Sequence, residues 1–589
     1  MSLFHKKNEQ NAAPRRRNHG CLWAIIIGLI IYMVLTFISA KFLNGVFSGS
    51  SSEAHLKNHS IYKFELSGTV VEQAPMDNPF SGFMSTMPGY NMEEVIGLDQ
   101  ILSNIRLAQG SDKIQGIYLY GGNLSVGQAS AKAIRDALVE FKSSGKFIVA
   151  YADSYSQSNY YIASVADSIY LSPIGNIQWN GLTAQKMYYT RLLEKLGVKV
   201  QILKVGTFKS AVEPFFCTEM SEADRQQTMI YLGGVWNLMK QAVSDSRGIS
   251  IEQLDEYADL YMGLRQQTEY VERGFCDRLV YEDEMDSILT KLAGTEDYHT
   301  ISFHKLANVK RAESSVKDAV AVLYLDGEIT SGTGNGIVDT KVLKTLREIQ
   351  KNKHIKALVL RVNSPGGSAD ASELINHAVR QLQQEGLPVV VSMGDYAASG
   401  GYYISCEADY IFAEPNTLTG SIGIFGMVPS FGELREKVGL DIDGVSTNRH
   451  SDLDINMVYR GMDEEEHQIM QSMVERGYEL FTSRCAEGRN IPQDSIKAIG
   501  EGRVWLGQDA IRLGLVDQLG NLDDAIKKAA QLADLNEYSL SYFPEPSDPM
   551  ADLLSMFDNS SDEEKILMRF REFVSQPRVL ALMPEVKIQ

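Results

Sequence analysis

The stretch YYIASVADSIYLSP, at Tyr160–Pro173, returns as YYISCEADYIFAEP at Tyr402–Pro415, an offset of 242 residues. At the same offset LLEKLGV, Leu192–Val198, returns as LREKVGL, Leu434–Leu440. A third pair, KIQGIYLY and HIKALVLR, keeps this order at an offset of 241. Three matches in one order at nearly one offset indicate a tandem duplication.

Each copy carries the same coarse pattern, which is clearest in the second. AVAVLYLDG (Ala319–Gly327) is rich in β-formers and ends in a turn signal. The apolar run IKALVLRV leads into the turn NSPGGS (Asn363–Ser368), a helical stripe follows, and PVVVSMG (Pro388–Gly394) is again apolar. Almost wholly apolar strands that alternate with helices predict an α/β fold whose parallel sheet is covered on both faces.

One segment is not globular. Gly20–Ala40 holds no charge over about twenty residues, enough to span a bilayer as a helix. Arg15, Arg16 and Arg17 precede it, so the positive-inside rule places the N-terminus in the cytoplasm and everything after Lys41 outside. In a bacterium with two membranes, that side is the periplasm. The alternative, a cleaved signal peptide, has against it the length of the run and the lack of an A-x-A site.

The chain of 589 residues is long enough for two to four domains. The predicted division lists six segments: a cytoplasmic N-terminus 1–19, a transmembrane anchor 20–43, a linker 44–58, a first repeat 59–308, a second repeat 309–545 and a helical extension 546–589.

Composition argues against several functional classes. A net charge of −19 argues against nucleic acid, whose phosphates need a basic surface. The five cysteines form no CxxC pair and have no suitably spaced histidine, so no zinc site is expected. The question of a disulfide is left open, because the sequence does not indicate which cysteines would pair. There is no Walker motif, and no cofactor is expected.

Two turns of the second repeat carry the residue types of a catalytic site. The glycines of Asn363–Ser368 let backbone amides point into a shared site, where they would stabilise an oxyanion. In Gly394–Gly401, Ser399 has small neighbours and lies between a buried strand and a helix, so its Oγ is available as a nucleophile. Alone, the first turn is equally compatible with a tight turn without a ligand and Ser399 with a helix N-cap.

The motifs VNSPGGS, MGDYAASGGYYIS, LTGSIGIFG and VGTFKSAVEPF resemble the bacterial signal peptide peptidase A family, also called protease IV, in its long duplicated form. The resemblance covers nearly the whole chain past the anchor. It implies two tandem ClpP/crotonase-like domains, with Ser399 as nucleophile and Lys209 as general base. Ser421 would help to orient the lysine amine.

The oxyanion hole would come from the amides of Gly366, Gly367 or Gly400. A lysine is a base at neutral pH only when burial or positive charge lowers its pKa. Apolar neighbours of Lys209 in sequence suggest a desolvated pocket: Val205, Phe208, Ala211, Val212, Phe215 and Phe216. Glu213 would oppose this, so we expect it to point elsewhere. A Ser–His pair that uses His450 is the alternative.

The repeat predicts that the catalytic pair is divided between the two copies. The offset places Gln157 opposite Ser399, so the first copy lacks the nucleophile. It places Ser451 opposite Lys209, so the second copy lacks the lysine. The two halves are therefore expected to meet across the site.

The resemblance implies a membrane-anchored serine endopeptidase that acts on peptides, with cleaved signal peptides as substrates, on the outer face of the cytoplasmic membrane. It also implies a homo-oligomer, with a tetramer favoured, and contact with membrane lipid through the anchor. Two alternatives remain: an acyl-CoA enzyme of the crotonase fold, and a non-catalytic membrane scaffold that keeps only the fold.

Overall fold

The computed structural model describes residues 55–73, 94–309, 316–544 and 579–582, the last for the backbone only. Within them, the two repeats each build a largely parallel sheet with helices on its faces, as expected for the α/β fold. The sheets and helices establish the α/β class. The narrower assignment to a ClpP/crotonase-like fold stays a prediction. The predicted anchor lies outside the described residues. Of the predicted helical extension 546–589, residues 579–582 are described, and they form a strand.

The first repeat contributes eight of the described strands and nine of the described α-helices. Its strands are β1 Ser60–Val71, β2 Val95–Gly97, β3 Ile114–Ser125, β4 Phe147–Ala152, β5 Ser168–Leu171, β6 Lys199–Lys204, β7 Arg278–Leu279 and β8 His299–Ser302. Its helices are α1 Leu98–Gly110, α2 Gln128–Phe141, α3 Gln157–Ala163, α4 Thr190–Leu196, α5 Glu222–Arg247, α6 Ile251–Asp259, α7 Gln267–Glu272, α8 Met285–Ala293 and α9 Phe303–Ala307. Short 3-10 turns cover Lys142–Ser144, Ser210–Phe215, Met262–Leu264 and Glu282–Glu284.

The second repeat follows the same plan. Its strands are β9 Ala319–Asp326, β10 Ile329–Thr330, β11 Ile337–Val338, β12 Ile355–Ser364, β13 Gly366–Ser368, β14 Val389–Ala398, β15 Tyr410–Ala413, β16 Leu418–Gly420, β17 Phe425–Ser430, β18 Val504–Leu506, β19 Gln518–Leu519, β20 Ser539–Phe543 and, near the C-terminus, β21 Val579–Leu582. Its helices are α10 Asp339–Lys351, α11 Ala369–Gln384, α12 Gly400–Tyr403, α13 Gly432–Val438, α14 Leu453–Tyr459, α15 Glu464–Arg489, α16 Gln493–Ile499, α17 Gly507–Ala510 and α18 Leu522–Leu532.

The described strands form three sheets. The first has the order β2-β1-β3-β4-β5-β7, with β8 beside β1. The second has the order β18-β16-β14-β12-β9-β20, with β15 between β14 and β19, and is parallel apart from the β16–β18 pair. The third, β11-β10-β13-β21-β17-β6, joins the repeats, because β6 belongs to the first and β17 to the second.

The duplication is visible in side-chain contacts as well as in sequence. The Tyr160 hydroxyl donates to the carbonyl of Phe275 at 3.0 Å, and the equivalent Tyr402 hydroxyl donates to the carbonyl of Leu515 at 3.0 Å. Helices α5 and α15 are both 26 residues long and begin 242 residues apart. The repeat predicted from sequence is therefore a structural repeat, and the duplication is confirmed.

The two repeats share buried surface. The core of the first includes second-repeat residues such as Ala398 and Leu506. Glu72, at the end of β1, forms a buried ion pair with Arg361 on β12, with Nε 2.8 Å from Oε2. Burial raises the pKa of Glu72, and the Arg361 guanidinium opposes that rise. Removing either partner would leave a buried charge, so this pair fixes how the halves dock.

No helix among the described residues has both the length and the hydropathy needed to cross a membrane. The uncharged run 20–40, on which the anchor was predicted, is not part of those residues.

Candidate active site

Ser399 lies at the sharp turn between strand β14 and helix α12. Its backbone has φ 56° and ψ −115°, a conformation that costs free energy for a residue with a side chain. Small neighbours make the turn possible: a Cβ on Gly401 would lie 2.7 Å from the carbonyl oxygen of Ser364. Such local strain is maintained where the surrounding structure fixes it, and it is frequent at catalytic nucleophiles.

Lys209 follows β6 and immediately precedes the 3-10 turn Ser210–Phe215, and its side chain is completely buried. Two glycines make room for it. A Cβ on Gly502 would lie 2.6 Å from Lys209 Cβ, and a Cβ on Gly423 would lie 3.4 Å from Lys209 Cδ. Both glycines belong to the second repeat, so the pocket of the lysine is built by the other half of the chain.

The lysine amine contacts two serines of the second repeat. Lys209 Nζ lies 2.7 Å from Ser399 Oγ, 3.0 Å from Ser421 Oγ and 3.1 Å from the carbonyl oxygen of Ser421. A neutral amine has two N–H groups and one lone pair. If the two N–H groups donate to the two oxygens of Ser421, the lone pair faces the hydroxyl of Ser399. The geometry thus suits proton transfer from serine to lysine.

Burial is the cause of the altered acidity of Lys209. Desolvation holds the pKa of its ammonium group well below the ordinary value of 10.5. Glu213, which would raise that pKa if it were close, accepts hydrogen bonds from the backbone amide and the hydroxyl of Ser221 instead. It points away from the amine, as expected from the sequence.

The apolar residues near Lys209 in sequence differ in burial. Val212 is buried, whereas Phe216 is 41% exposed, and Phe208 lies under the guanidinium of Arg503 at 4.9 Å. A 3-10 turn directs side chains by its own geometry, so neighbours of Lys209 in sequence do not all surround it in space. The groups that lie against the lysine include Gly423, Gly502 and Ser421.

Sequence reasoning missed the loop 500–503. The carbonyl of Glu501 accepts from the amide of Phe208 at 2.9 Å, and the carbonyl of Arg503 accepts from the amide of Ser421 at 2.7 Å. The loop therefore holds the lysine segment and the Ser421 turn in one place. The available signal was the G-x-G pattern of Gly500 and Gly502, which is too short to interpret alone.

The predicted oxyanion turn is a short strand. Gly366 has φ 108° and Gly367 φ 153°, values that favour glycine, and a Cβ on Gly367 would lie 2.0 Å from the carbonyl oxygen of Ile329. The amide of Gly366 donates to Ser364 Oγ at 3.1 Å. Gly400 begins helix α12 directly after Ser399. All three glycines thus lie on the segments that flank the nucleophile.

A segment of the chain itself runs through the neighbouring groove. Strand β21 pairs antiparallel with β13, from Gly366↔Leu582 to Ser368↔Leu580, and antiparallel with β17 at Phe425↔Leu580. It also packs against α12, which begins after Ser399. The groove between β13 and β17 therefore accepts an extended backbone beside Ser399.

The remaining predicted candidates lie elsewhere. His450 Nε2 is 3.4 Å from Glu465 Oε1 in a partly exposed ion pair, and Lys209, not His450, contacts Ser399. In the first repeat, the side-chain oxygen of Gln157 accepts from the amides of Asn180 and Gly181. Among the described residues, no cluster of three acidic, histidine or cysteine side chains is suited to a metal ion.

The model of peptidase family S49 matches residues 140–296 and 381–536, one block in each repeat. The chain belongs to peptidase family S49. Together with its relatives, this makes it a serine protease of that family, as the resemblance to signal peptide peptidase A predicted.

Relatives of this S49 protease extend over most of its length. Protease 4 from Salmonella typhi is 35% identical, covering 89% of this chain and 88% of the relative. Protease 4 from Haemophilus influenzae is 33% identical, covering 87% and 88%. A chloroplastic serine protease SPPA from Arabidopsis thaliana is 30% identical, covering 79% and 70%. Each of these alignments extends over both repeats, which indicates that the duplicated form recurs among the relatives.

Proposed function

We propose that this protein is a membrane-anchored serine endopeptidase in which Ser399 is the nucleophile and Lys209 the general base. The observation that carries the proposal is the buried amine of Lys209, 2.7 Å from Ser399 Oγ. A solvated lysine is protonated at neutral pH, whereas a desolvated one has a lone pair to accept the serine proton.

In the proposed reaction, Ser399 Oγ attacks the peptide carbonyl while Lys209 Nζ takes the hydroxyl proton. The ammonium then gives this proton to the leaving amine, and an acyl-enzyme ester remains on Ser399. Water attacks the ester with Lys209 again as base, which releases the acid product and regenerates the serine. Backbone amides of Gly367 or Gly400 would stabilise the oxyanion, as would that of Gly366 if it released Ser364 Oγ, and Ser421 would hold the amine in position.

The groove between β13 and β17 supports a peptide substrate. It accepts the backbone of β21 as an antiparallel strand, and main-chain pairing of this kind binds extended peptides with little dependence on side chains. A folded protein cannot present such a strand without unfolding locally. We therefore propose unfolded peptides, and signal peptides left after secretion in particular, as the substrates.

The proposed location is the outer face of the cytoplasmic membrane. The uncharged run 20–40 with arginines before it supports a single span with its N-terminus inside, which would concentrate the protease near membrane-bound peptides. Protease added to spheroplasts should then digest the catalytic part of the chain. Digestion only after lysis would contradict this orientation.

The function is tested with two substrates and one active-site probe. A released signal peptide and a polar peptide of equal length are offered to the detergent-solubilised full chain, and cleavage is followed by mass spectrometry. We expect the signal peptide to be cut faster, and a fluorophosphonate to label Ser399. Cleavage of neither peptide, together with no labelling, would favour a non-catalytic scaffold; equal rates would overturn only the proposed substrate.

A homo-oligomer, with a tetramer favoured, is part of the proposal. Duplication has already joined two units in one chain, so fewer chains would complete a ring.

A further inference from the structure

A buried glutamine lies behind the segment that carries Lys209. Gln227 belongs to helix α5 of the first repeat and is 2% exposed. Its side-chain Nε2 donates to the carbonyl of Phe208 at 3.0 Å and to Ser210 Oγ at 3.1 Å. Phe208 and Ser210 are the two chain neighbours of Lys209. One amide group thus holds the chain on both sides of the lysine.

The oxygen of the same amide is bonded to the second repeat. The backbone amide of Val504, on β18, donates to Gln227 Oε1 at 3.3 Å. A backbone N–H only donates and a carbonyl only accepts, so these partners fix which end of the side chain is oxygen. Val504 follows the loop 500–503, in which the carbonyl of Arg503 accepts from the amide of Ser421. Gln227 therefore links the lysine segment to the turn whose serine contacts the lysine amine.

The other repeat has no such amide at the equivalent position. Helices α5 and α15 begin 242 residues apart, which places Ile469 opposite Gln227. Ile469 is 42% exposed, so the plan of the helix does not depend on a buried polar group there. A buried amide costs free energy unless its hydrogen bonds are made. The glutamine occurs in the repeat that carries the lysine, and its hydrogen bonds are made to the lysine segment.

The side chains next to Gln227 form a closed network. Ser210 Oγ donates to Asp224 Oδ1 at 2.6 Å, and Lys186 Nζ lies 2.7 Å and 2.6 Å from the two carboxylate oxygens of Asp224. Gln227 Nε2 also lies 3.2 Å from Asp224 Oδ1. The carboxylate is thus paired with a lysine, and the network holds the glutamine side chain in one orientation.

Four further titratable side chains lie on the elements around Lys209: Glu213, Tyr478, Glu501 and Arg503. Each has a partner other than the lysine amine. Among the described residues, the hydrogen bonds of the amine are with Ser399 and Ser421. Burial holds the pKa of Lys209 below its ordinary value. The acidity of the amine therefore depends on where the backbone places the side chain.

We propose that Gln227 is the positioning residue of Lys209, because it fixes the backbone of Phe208 and Ser210 against Val504. The lysine amine is thereby kept beside Ser399. This inference rests on the proposed function, since it concerns the base of that reaction. Gln227 acts through the backbone, and a displacement of about 1 Å at a catalytic group can cost about a hundredfold in rate.

The test compares Gln227→Met with Asn104→Leu in the detergent-solubilised full chain. Asn104 is a completely buried amide on α1, and its side-chain nitrogen donates to the carbonyl of Phe303 at 3.1 Å. Both exchanges replace a buried amide of the first repeat by an apolar side chain of similar size. We expect Gln227→Met to lower kcat about tenfold or more and to leave KM within about twofold. Asn104→Leu should keep the wild-type kcat, even where both variants unfold at a lower temperature.

The pH–rate profile separates positioning from a general loss of stability. A lysine that moves out of its pocket gains contact with water, and its pKa rises towards the ordinary value. The profile of Gln227→Met should therefore shift to higher pH, and its deficit in kcat should shrink as the pH rises. Asn104→Leu should titrate like the wild type.

A Gln227→Met variant with the kcat and pH profile of the wild type would overturn the proposal. Equal losses of kcat in Gln227→Met and Asn104→Leu would overturn it as well, because they would report a general loss of stability. If Gln227→Met does not fold, Gln227→Asn takes its place. It keeps an amide but is one methylene too short to reach Phe208 and Val504 together, and the same outcomes apply.

Lys209→Ala distinguishes this proposal from the proposed function. An active Lys209→Ala variant would refute the proposed function, and the role of Gln227 with it. An inactive Lys209→Ala variant beside a Gln227→Met variant that cleaves like wild type would refute the role of Gln227 alone.

Discussion

The two repeats have the same fold but differ at the turn that holds Ser399 in the second repeat. In the second repeat, Ser399 and Ser421 are buried hydroxyls that meet an amine. In the first, the equivalent positions hold Gln157, whose side chain bonds to nearby backbone, and Trp179, which is completely buried among aromatic rings. A buried polar group costs free energy unless it has a hydrogen-bond partner, so a site that loses its partners tends to carry an apolar side chain instead. At these positions the first repeat has local hydrogen bonds and apolar packing instead, and its contribution to the proposed catalytic pair is Lys209.

The largest effect is expected from Ser399→Ala. Without Oγ, no acyl-enzyme forms, and peptide cleavage should fall by more than about a hundredfold, to below about one per cent. The matched control is Ser158→Ala, which removes the serine nearest to the equivalent position of the first repeat and should cleave like wild type. Steady-state cleavage of a fluorogenic peptide measures both. An active Ser399→Ala variant would place the nucleophile elsewhere.

Lys209→Ala should be as inactive as Ser399→Ala, and the double variant no worse than either, because the two residues act as one unit. Because burial lowers the pKa of Lys209, the wild-type rate should rise with pH through a pKa well below 10.5 and then level off.

The control for the base is His450→Ala, which removes the alternative histidine and should retain wild-type activity. If the residual activity of Lys209→Ala shows the same pH–rate profile as the wild type, Lys209 is not the base and the proposed Ser399–Lys209 pair is wrong.

An intermediate effect is expected from Gly502→Ala. The new Cβ would lie 2.6 to 2.8 Å from the backbone and Cβ of Lys209, so the lysine must move. A displacement of this kind should lower kcat by about ten- to a hundredfold. Gly145 has a backbone φ similar to that of Gly502, but a Cβ added there would have no atom within 4 Å. The control Gly145→Ala therefore separates the effect of φ strain from the effect of contact with Lys209. Equal losses of activity in both would contradict the contact.

The smallest effect concerns stability. At pH 7 the unfolded chain carries a protonated Lys209, whereas burial in the folded chain lowers the pKa of the amine and disfavours its charged form, so folding loses free energy at this position. Lys209→Met should therefore unfold at a temperature about 2 °C or more higher at pH 7. The advantage should shrink as the pH approaches 10.4, where the unfolded lysine also loses its proton. Thermal unfolding at several pH values measures it; an advantage that grows with pH would contradict the buried neutral amine.

Much of the fold could be predicted because the duplication repeats its own signals. Apolar runs such as that of β12 and small residues such as Gly400 and Gly401 fix a parallel sheet and a sharp turn locally. The meeting of Lys209 with Ser399 followed from the family motifs and from the loss of each residue in the other repeat. These are properties that a single sequence with an internal repeat can carry.

The remaining features depend on contacts between distant segments. The pairing of β6 with β17, the loop 500–503 over Lys209 and the strand β21 in the groove have no periodic signature. The surroundings of Lys209 have the same origin. The chain bends at the 3-10 turn after Lys209, so a residue near it in sequence, such as the partly exposed Phe216, need not lie against it in space.

The division of the proposed pair between the repeats would delay activity during synthesis. Lys209 precedes Ser399 by 190 residues, so the proposed base is synthesised well before the proposed nucleophile. Until Gly423, Gly502 and Ser421 enclose it, Lys209 is an ordinary solvated lysine and is protonated at neutral pH. In the proposed mechanism, proteolytic activity would therefore begin only when the second repeat has folded onto the first. A nascent chain would thereby be protected from its own active site while it is still extended.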